Sequence, residues 1–203
     1  NSMKIFKTMI IMLLSITCKA QTPVVDVTES ELGLPDGYYV QDMNLLLNPF
    51  EGTYLYTNGN TSFKIILVKK EQQYNGRYYE DLIIGEYQYI ENGIEKVNTL
   101  NQINTVYNDQ RSHSIDGNWV VNNNFRYWKC PTCPANEKRL SLSIRDAATD
   151  NYAQITMRRT VEAGQEVMKI KISHVMARSY NVDTEPVPPD FSLLLGEYTL
   201  IKQ

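Results

Sequence analysis

Cys130-Pro131-Thr132-Cys133-Pro134 is the sharpest local motif in the chain. Two thiols at this spacing have three chemistries open to them. In an oxidising compartment they form a disulfide that staples a loop. With two further ligands they make half of a zinc site. At a helix N-terminus, where the first thiol's pKa falls, they make a redox dithiol. The flanking residues favour the staple: Pro134 and Ala135 are compatible with a helix start, but Lys138 onward reads as strand. The only histidines, His113 and His174, show no ligand spacing with the pair, so no metal site is expected.

Other reactive groups are sparse. His113 lies in a polar stretch and His174 in an alternating one; each reads as a surface or pocket residue rather than a catalyst. Glu80 and Asp81 are adjacent carboxylates, but on a strand they point to opposite faces and do not share a proton easily. Gly-x-Ser-x-Gly, His-Glu-x-x-His, the P-loop and the Gly-rich dinucleotide loop do not occur. No catalytic residue and no cofactor is therefore expected. A hydrolase would need carboxylates brought across a cleft, or His174 set beside an acid and a nucleophile.

The aromatic residues are more informative. Fourteen Tyr and two Trp outnumber five Phe, so most rings carry a polar handle. Half-buried sheet face is the plain account of that load. Two clusters stand out against it. Tyr74, Tyr78, Tyr79, Tyr87 and Tyr89 share one hairpin. Trp119, Tyr127 and Trp128 flank the run Asn122-Asn123-Asn124 and the cysteine pair. Aromatic platforms with amide donors suit a sugar, a peptide strand or a small apolar molecule. The candidate ligand-binding residues are accordingly Trp119, Asn123, Tyr127 and Trp128.

These residues sit among strands. Thr53-Tyr54-Leu55-Tyr56 runs into Asn58-Gly59, a type I′ hairpin dipeptide. Residues 61–70 alternate, Asn75-Gly76 turns, and residues 78–90 run to the turn Asn92-Gly93. Residues 94–99 form a short strand, and 101–113 form a loop or edge strand. Asp116-Gly117 reads as a turn, and a strand begins at Trp119. The Asn run interrupts it before Phe125-Arg126-Tyr127-Trp128. Residues 140–144, 152–157, 167–175 and 193–202 follow as strands, the last with Gly196 as a bulge. About eight to ten strands at this spacing imply an all-β fold, either an antiparallel β-barrel or a β-sandwich. No βαβ alternation is visible.

The chain's ends divide differently. Met3 reads as the start, with Asn1 and Ser2 as a scar ahead of it. Lys4 and Lys7 precede an apolar run over residues 8–17, too short to span a bilayer and suited to an export signal. Two exits compete: lipidation at Cys18, or a soluble-type cut after Ala20. The expected organisation is an export signal over 1–20, a lead-in over 21–48 and a single β domain over 49–203. Leu45-Leu46-Leu47 in the lead-in reads as a helical turn. The chain has 203 residues and a net charge of −3, which becomes −5 once Lys4 and Lys7 leave with the signal. An acidic chain without a long basic run argues against nucleic-acid binding.

Several short motifs act together. They are Thr17-Cys18-Lys19-Ala20-Gln21, Asn48-Pro49-Phe50-Glu51-Gly52-Thr53-Tyr54, Tyr78-Tyr79-Glu80-Asp81 ahead of Gly85-Glu86-Tyr87, and a Pro-rich loop before Leu200-Ile201-Lys202. With these the chain resembles, over nearly its whole length, a family of small exported proteins of Bacteroidota. Many of these carry lipoprotein-type signals, and they have no assigned function. It departs from them at Tyr54, where Trp is frequent, and at Thr17, where Ser usually precedes the cysteine. More faintly, residues 45–54 are similar to the opening of lipocalin-like barrels, where a helical turn precedes a strand carrying Gly-x-Trp. The resemblance implies the cell envelope and no reaction. The expectation is an exported, lipid-anchored, non-catalytic β-domain that binds a ligand or an envelope protein. It touches the membrane only through its anchor, as an outer-membrane lipoprotein or a secreted or periplasmic protein. The alternatives are a cell-surface hydrolase and a structural subunit of an envelope assembly.

Overall fold

A computed structural model describes residues 22–193 and 195–203. The export segment and Cys18 lie outside the described residues. Eleven strands form one sheet among them: β1 (Val24–Asp26), β2 (Tyr39–Gln41), β3 (Gly52–Asn58), β4 (Thr61–Tyr74), β5 (Tyr79–Glu91), β6 (Ile94–Asn98), β7 (Ile115–Val121), β8 (Arg139–Arg145), β9 (Tyr152–Glu162), β10 (Gln165–Met176) and β11 (Gly196–Lys202). Eight of them, β3, β4, β5, β7, β8, β9, β10 and β11, pair in chain order, and β11 returns to β3. The result is a closed antiparallel barrel, which decides between the barrel and sandwich readings.

Turn chemistry sets the hairpins. Asn92 and Gly93 both have positive φ (52° and 80°) between the paired residues Glu91 and Ile94, as a type I′ turn requires. The first hairpin differs by one residue from the expected one. Asn58 pairs with Thr61, so the turn residues are Gly59 and Asn60, and of these Gly59 carries the positive φ. Asp116-Gly117 is not a turn. It lies inside β7, whose register against β8 shifts between Asp116 and Trp119. Residues 101–113 hold 3₁₀ turns at Leu100–Gln102 and Gln110–Ser112 instead of an edge strand. Phe125-Arg126-Tyr127-Trp128 is loop, not strand.

Strand alternation sends one face of each strand inward. Phe63, Ile65 and Leu67 of β4, Tyr87 and Tyr89 of β5, and Leu140, Leu142 and Ile144 of β8 join one buried cluster. The outer rows of β10 and β11 carry Lys169, Lys171 and Glu197, whose ion pairs face solvent. That is the reverse of a membrane-spanning barrel, whose outer wall is apolar. No helix among the described residues is long and apolar enough to cross a membrane.

The lead-in is welded to the barrel, a connection its irregular sequence does not announce. β1 and β2 pair in parallel, and β2 pairs in parallel with β5, an exception to the expected all-antiparallel sheet. Asp81 of β5 holds them: it accepts from the Tyr39 hydroxyl at 2.6 Å and the Asp42 N–H at 2.9 Å. The buried Asp42 carboxylate in turn accepts from the Leu46 and Leu47 N–H groups at 2.7 and 3.0 Å. The helical turn expected at residues 45–47 consequently forms at Asn48–Phe50, where Pro49 presets the backbone. Leu47 and Phe50 plug the core, and the Tyr54 hydroxyl donates to the carbonyls of Phe50 and Glu51.

Gly85 marks a close approach in the barrel wall. It pairs with Leu67 of β4 and Ile115 of β7. A Cβ there would lie 2.7 Å from the Leu67 side chain and 2.8 Å from the Ile66 carbonyl oxygen. Backbone cannot give way as a flexible side chain does. Gly85→Ala should therefore lower stability by about 1–3 kcal/mol in urea denaturation. An unchanged midpoint would show that the wall adjusts there without cost.

Candidate functional site

The barrel's outer wall is stripped of bulk across β7 to β10. Register aligns Trp119 with Ser141 and Thr156, and Ser143 with Gln154 and Ser173. Their neighbours Leu142 and Ala153 belong to the interior cluster, so this polar row faces outward. Gln154 donates to the Ser141 hydroxyl at 2.5 Å. Over this row the 122–138 loop supplies Asn124, Phe125, Arg126 and Tyr127, and β10 supplies His174 and Met176. Together they bound an open groove of about 760 Å³.

The groove's rings form a continuous ladder. Trp119 meets Phe125 at 5.3 Å between centroids, Phe125 meets Tyr127 at 5.2 Å, and Tyr127 meets His174 at 4.1 Å, each edge to face. Such pairs are favoured because a ring's positive edge meets the negative face of the next. Trp119 remains 54% exposed, a large apolar ring presented to solvent. His174 reaches the ladder through a defect. Its φ is 56°, and the β9–β10 register shifts between Ser173 and Met176. Bulges of this kind re-aim side chains beside binding sites. The His174 Nδ1 lies 2.8 Å from the Ser173 hydroxyl.

Behind the ladder the loop is clamped. Cys130 and Cys133 are disulfide-bonded, and the described residues after them form turns, not the helix N-terminus that a redox dithiol needs. Asn123 donates from Nδ2 to the carbonyls of Cys130 and Cys133 at 2.7 and 3.0 Å and accepts the Cys130 N–H at 2.8 Å. The fully buried Arg139 donates to Asn123 Oδ1, the Trp128 carbonyl and Glu137, and its guanidinium lies 5.3 Å from the Trp128 ring. Asn123, Arg139 and the disulfide thus fix the ends of the segment that carries Phe125 and Tyr127.

The four candidate ligand residues therefore divide. Trp119 and Tyr127 line the groove. Asn123 and Trp128 stand behind it, with the Asn123 amide and the Trp128 ring committed to the clamp. Phe125, Arg126, Gln154 and His174 complete the lining without having been singled out for it. The signal that would have found Phe125 and Arg126 is their place between two anchors. Gln154 and His174 depend on register and a bulge, which no local pattern encodes. The other aromatic cluster disperses: Tyr87 and Tyr89 enter the core, the Tyr78 hydroxyl donates to Glu31, and Tyr74 packs on Tyr79.

A second polar cluster sits where β5 meets β7. Glu80 accepts from Arg111 Nε at 2.7 Å, from Arg111 Nη2, and from Asn75 and Asn118. Asp81 has the separate partners described above, so the adjacent carboxylates serve different sides of the strand. Arg111 also lies 3.6 Å from Asp116. Nearby, the buried His113 Nδ1 meets Glu86 at 2.7 Å. Arg111, His113 and Arg145 line a smaller pocket of about 340 Å³. Burial pushes the Asp116 carboxyl up to about 7, with Glu80 adding to the rise and Arg111 opposing it.

Two outcomes are expected. Asn123→Ala should destabilise the chain by about 1–3 kcal/mol, the cost of leaving buried partners unpaired. It should also expose residues 122–138 to limited proteolysis; an intact loop would deny Asn123 its role as a clamp. Asp116 binds its proton more tightly in the folded chain than at its ordinary 3.8. Its contribution to stability is therefore complete below that value and is lost as pH rises toward 7. Asp116→Asn should gain on the native chain between about pH 4 and about pH 8 in urea denaturation; a pH-independent difference would contradict the shift.

Searches of curated proteins and of solved structures find no match to the chain. A family model does match, over residues 3–203. The chain belongs to that family, described as a Family of unknown function (DUF6705).

Proposed function

We propose that the protein is an exported, lipid-anchored, non-catalytic β-barrel that binds a ligand in its outer groove. The observation that carries the reading is the ladder from Trp119 to His174, held open over a row of small polar side chains. Phe125 is buried within the ladder, but Trp119 leaves more than half of its surface open in a concave site, the usual form of a small-molecule site. Trp119, Phe125, Tyr127 and Met176 favour a ligand with a flat apolar body, and Ser143, Asn124 and Gln154 offer hydrogen bonds at its edge.

Export is supported by the apolar run over residues 8–17 and by a disulfide of the kind that persists in oxidising compartments. Cys18 is the proposed site of lipid attachment, six residues ahead of the start of β1 at Val24. The likeness to lipocalin-like barrels rests on the up-and-down strand order and the Leu47–Phe50 plug ahead of β3. The proposed site differs from theirs in lying outside the barrel, because side chains fill the interior.

One experiment addresses both halves. Mass analysis of the exported chain should show diacylglyceryl at Cys18 as the new N-terminus. The neutral dye phenylnaphthylamine should bind that material, and Trp119→Ala should weaken binding by tenfold or more, about 1.4 kcal/mol. Equal affinity in the variant would place any dye site elsewhere. An unmodified N-terminal Met3 would overturn the export half.

A further inference from the structure

The groove carries a charge signature that the ladder alone does not explain. The chain has eight arginines. Seven of them, Arg77, Arg111, Arg139, Arg145, Arg158, Arg159 and Arg178, lie within ion-pair distance of a carboxylate. Arg126, among the described residues, does not. Its guanidinium lies 4.3 Å from the centroid of the Tyr127 ring, and its Nη2 donates to the Tyr127 hydroxyl. A guanidinium is attracted to an aromatic face, and the Tyr127 hydroxyl takes only one of its five N–H bonds. Arg126 is itself exposed and lines the groove.

The rest of the lining reinforces this. Among the described residues no Asp or Glu lines the groove, although acidic side chains outnumber basic ones across the chain, 23 to 20. The other titratable groups among the described lining residues are His174, whose ring meets Tyr127 edge to face, and Tyr127 itself. A cationic edge beside an apolar floor, on an otherwise acidic protein, complements a ligand of opposite charge.

We infer that the groove selects an amphipathic anion, with a flat apolar body seated against Trp119, Phe125 and Tyr127 and a carboxylate, sulfate or similar group held by Arg126. The inference rests on the groove reading and adds the charge of the ligand to it. A guanidinium suits such groups because two of its N–H bonds can meet two oxygens in one plane. A neutral ligand of the same shape gains the apolar contacts and forfeits the pair.

Two dyes separate the contributions. Anilinonaphthalene sulfonate is phenylnaphthylamine with a sulfonate added. On the full chain at low ionic strength, the sulfonate should bind about three- to fivefold more tightly, the scale of a partly exposed ion pair. Raising the salt should shrink that advantage. Arg126→Gln should remove that advantage, weakening the sulfonate more than phenylnaphthylamine, and Trp119→Ala should weaken both dyes. Equal affinity of the two dyes in the native chain, or an advantage that survives Arg126→Gln, would overturn the inference while Trp119-dependent binding kept the groove reading intact. Loss of Trp119 dependence for both dyes would instead remove the groove reading, and this inference with it.

Discussion

The barrel depends on how β5 satisfies its two edges. One edge pairs with β4 along nearly the whole strand. The other is shared by three partners in sequence: β2 at Tyr39 and Val40, β7 at Ile115 to Gly117, and β6 at Ile94 to Asn98. Backbone N–H and C=O groups buried without partners are costly, so a strand this deeply buried must find them on both sides. The β7 share closes the ring. The β2 share, with Asp81, draws the lead-in onto the wall and sets Leu47 and Phe50 over the core. Gly85 lies where these demands meet, and the absence of a side chain lets β4 and β7 approach together.

Closure also explains why the candidate site is outside. An eight-stranded barrel has an interior just wide enough for side chains to fill it, and Tyr54, Phe63, Tyr87, Tyr89 and Tyr198 occupy it here. What remains is the outer wall, normally a poor binding surface because it is convex. The 122–138 loop turns part of it into a concavity. Its stiffness comes from Asn123, Arg139 and a short disulfide, and its reach across the wall comes from Phe125 and Tyr127. The positive φ at His174 supplies the far end of the ladder. Strain of that kind persists only where the surrounding structure enforces it; here it coincides with the β9–β10 register shift and the Tyr127 contact.

The parts of this protein governed by neighbouring residues were legible in its sequence. Alternation over residues 61–70 and 140–144 announced strands, because side chains on a strand change face at every residue. Asn92-Gly93 announced a type I′ turn, because both positions need positive φ. The spacing of Cys130 and Cys133 announced a staple, and the aromatic residues around the Asn run drew attention to Trp119 and Tyr127. Where local signals tie, register decides: Gly59 can open a turn or close one, and the β3–β4 pairing puts Asn60, not Asn58, in the turn. The all-β class, the hairpins and half of the groove's rings were thus determined by the sequence alone. Only the tertiary structure decided between barrel and sandwich, turned Asn123 and Trp128 inward to the clamp, and brought Gln154, His174 and Arg126 to one surface. Those outcomes depend on register between strands far apart in the chain, on a bulge, and on one buried guanidinium. The pairing of buried polar groups sets the register and the clamp, and the bulge belongs to the whole β9–β10 ladder, so no local pattern encodes them.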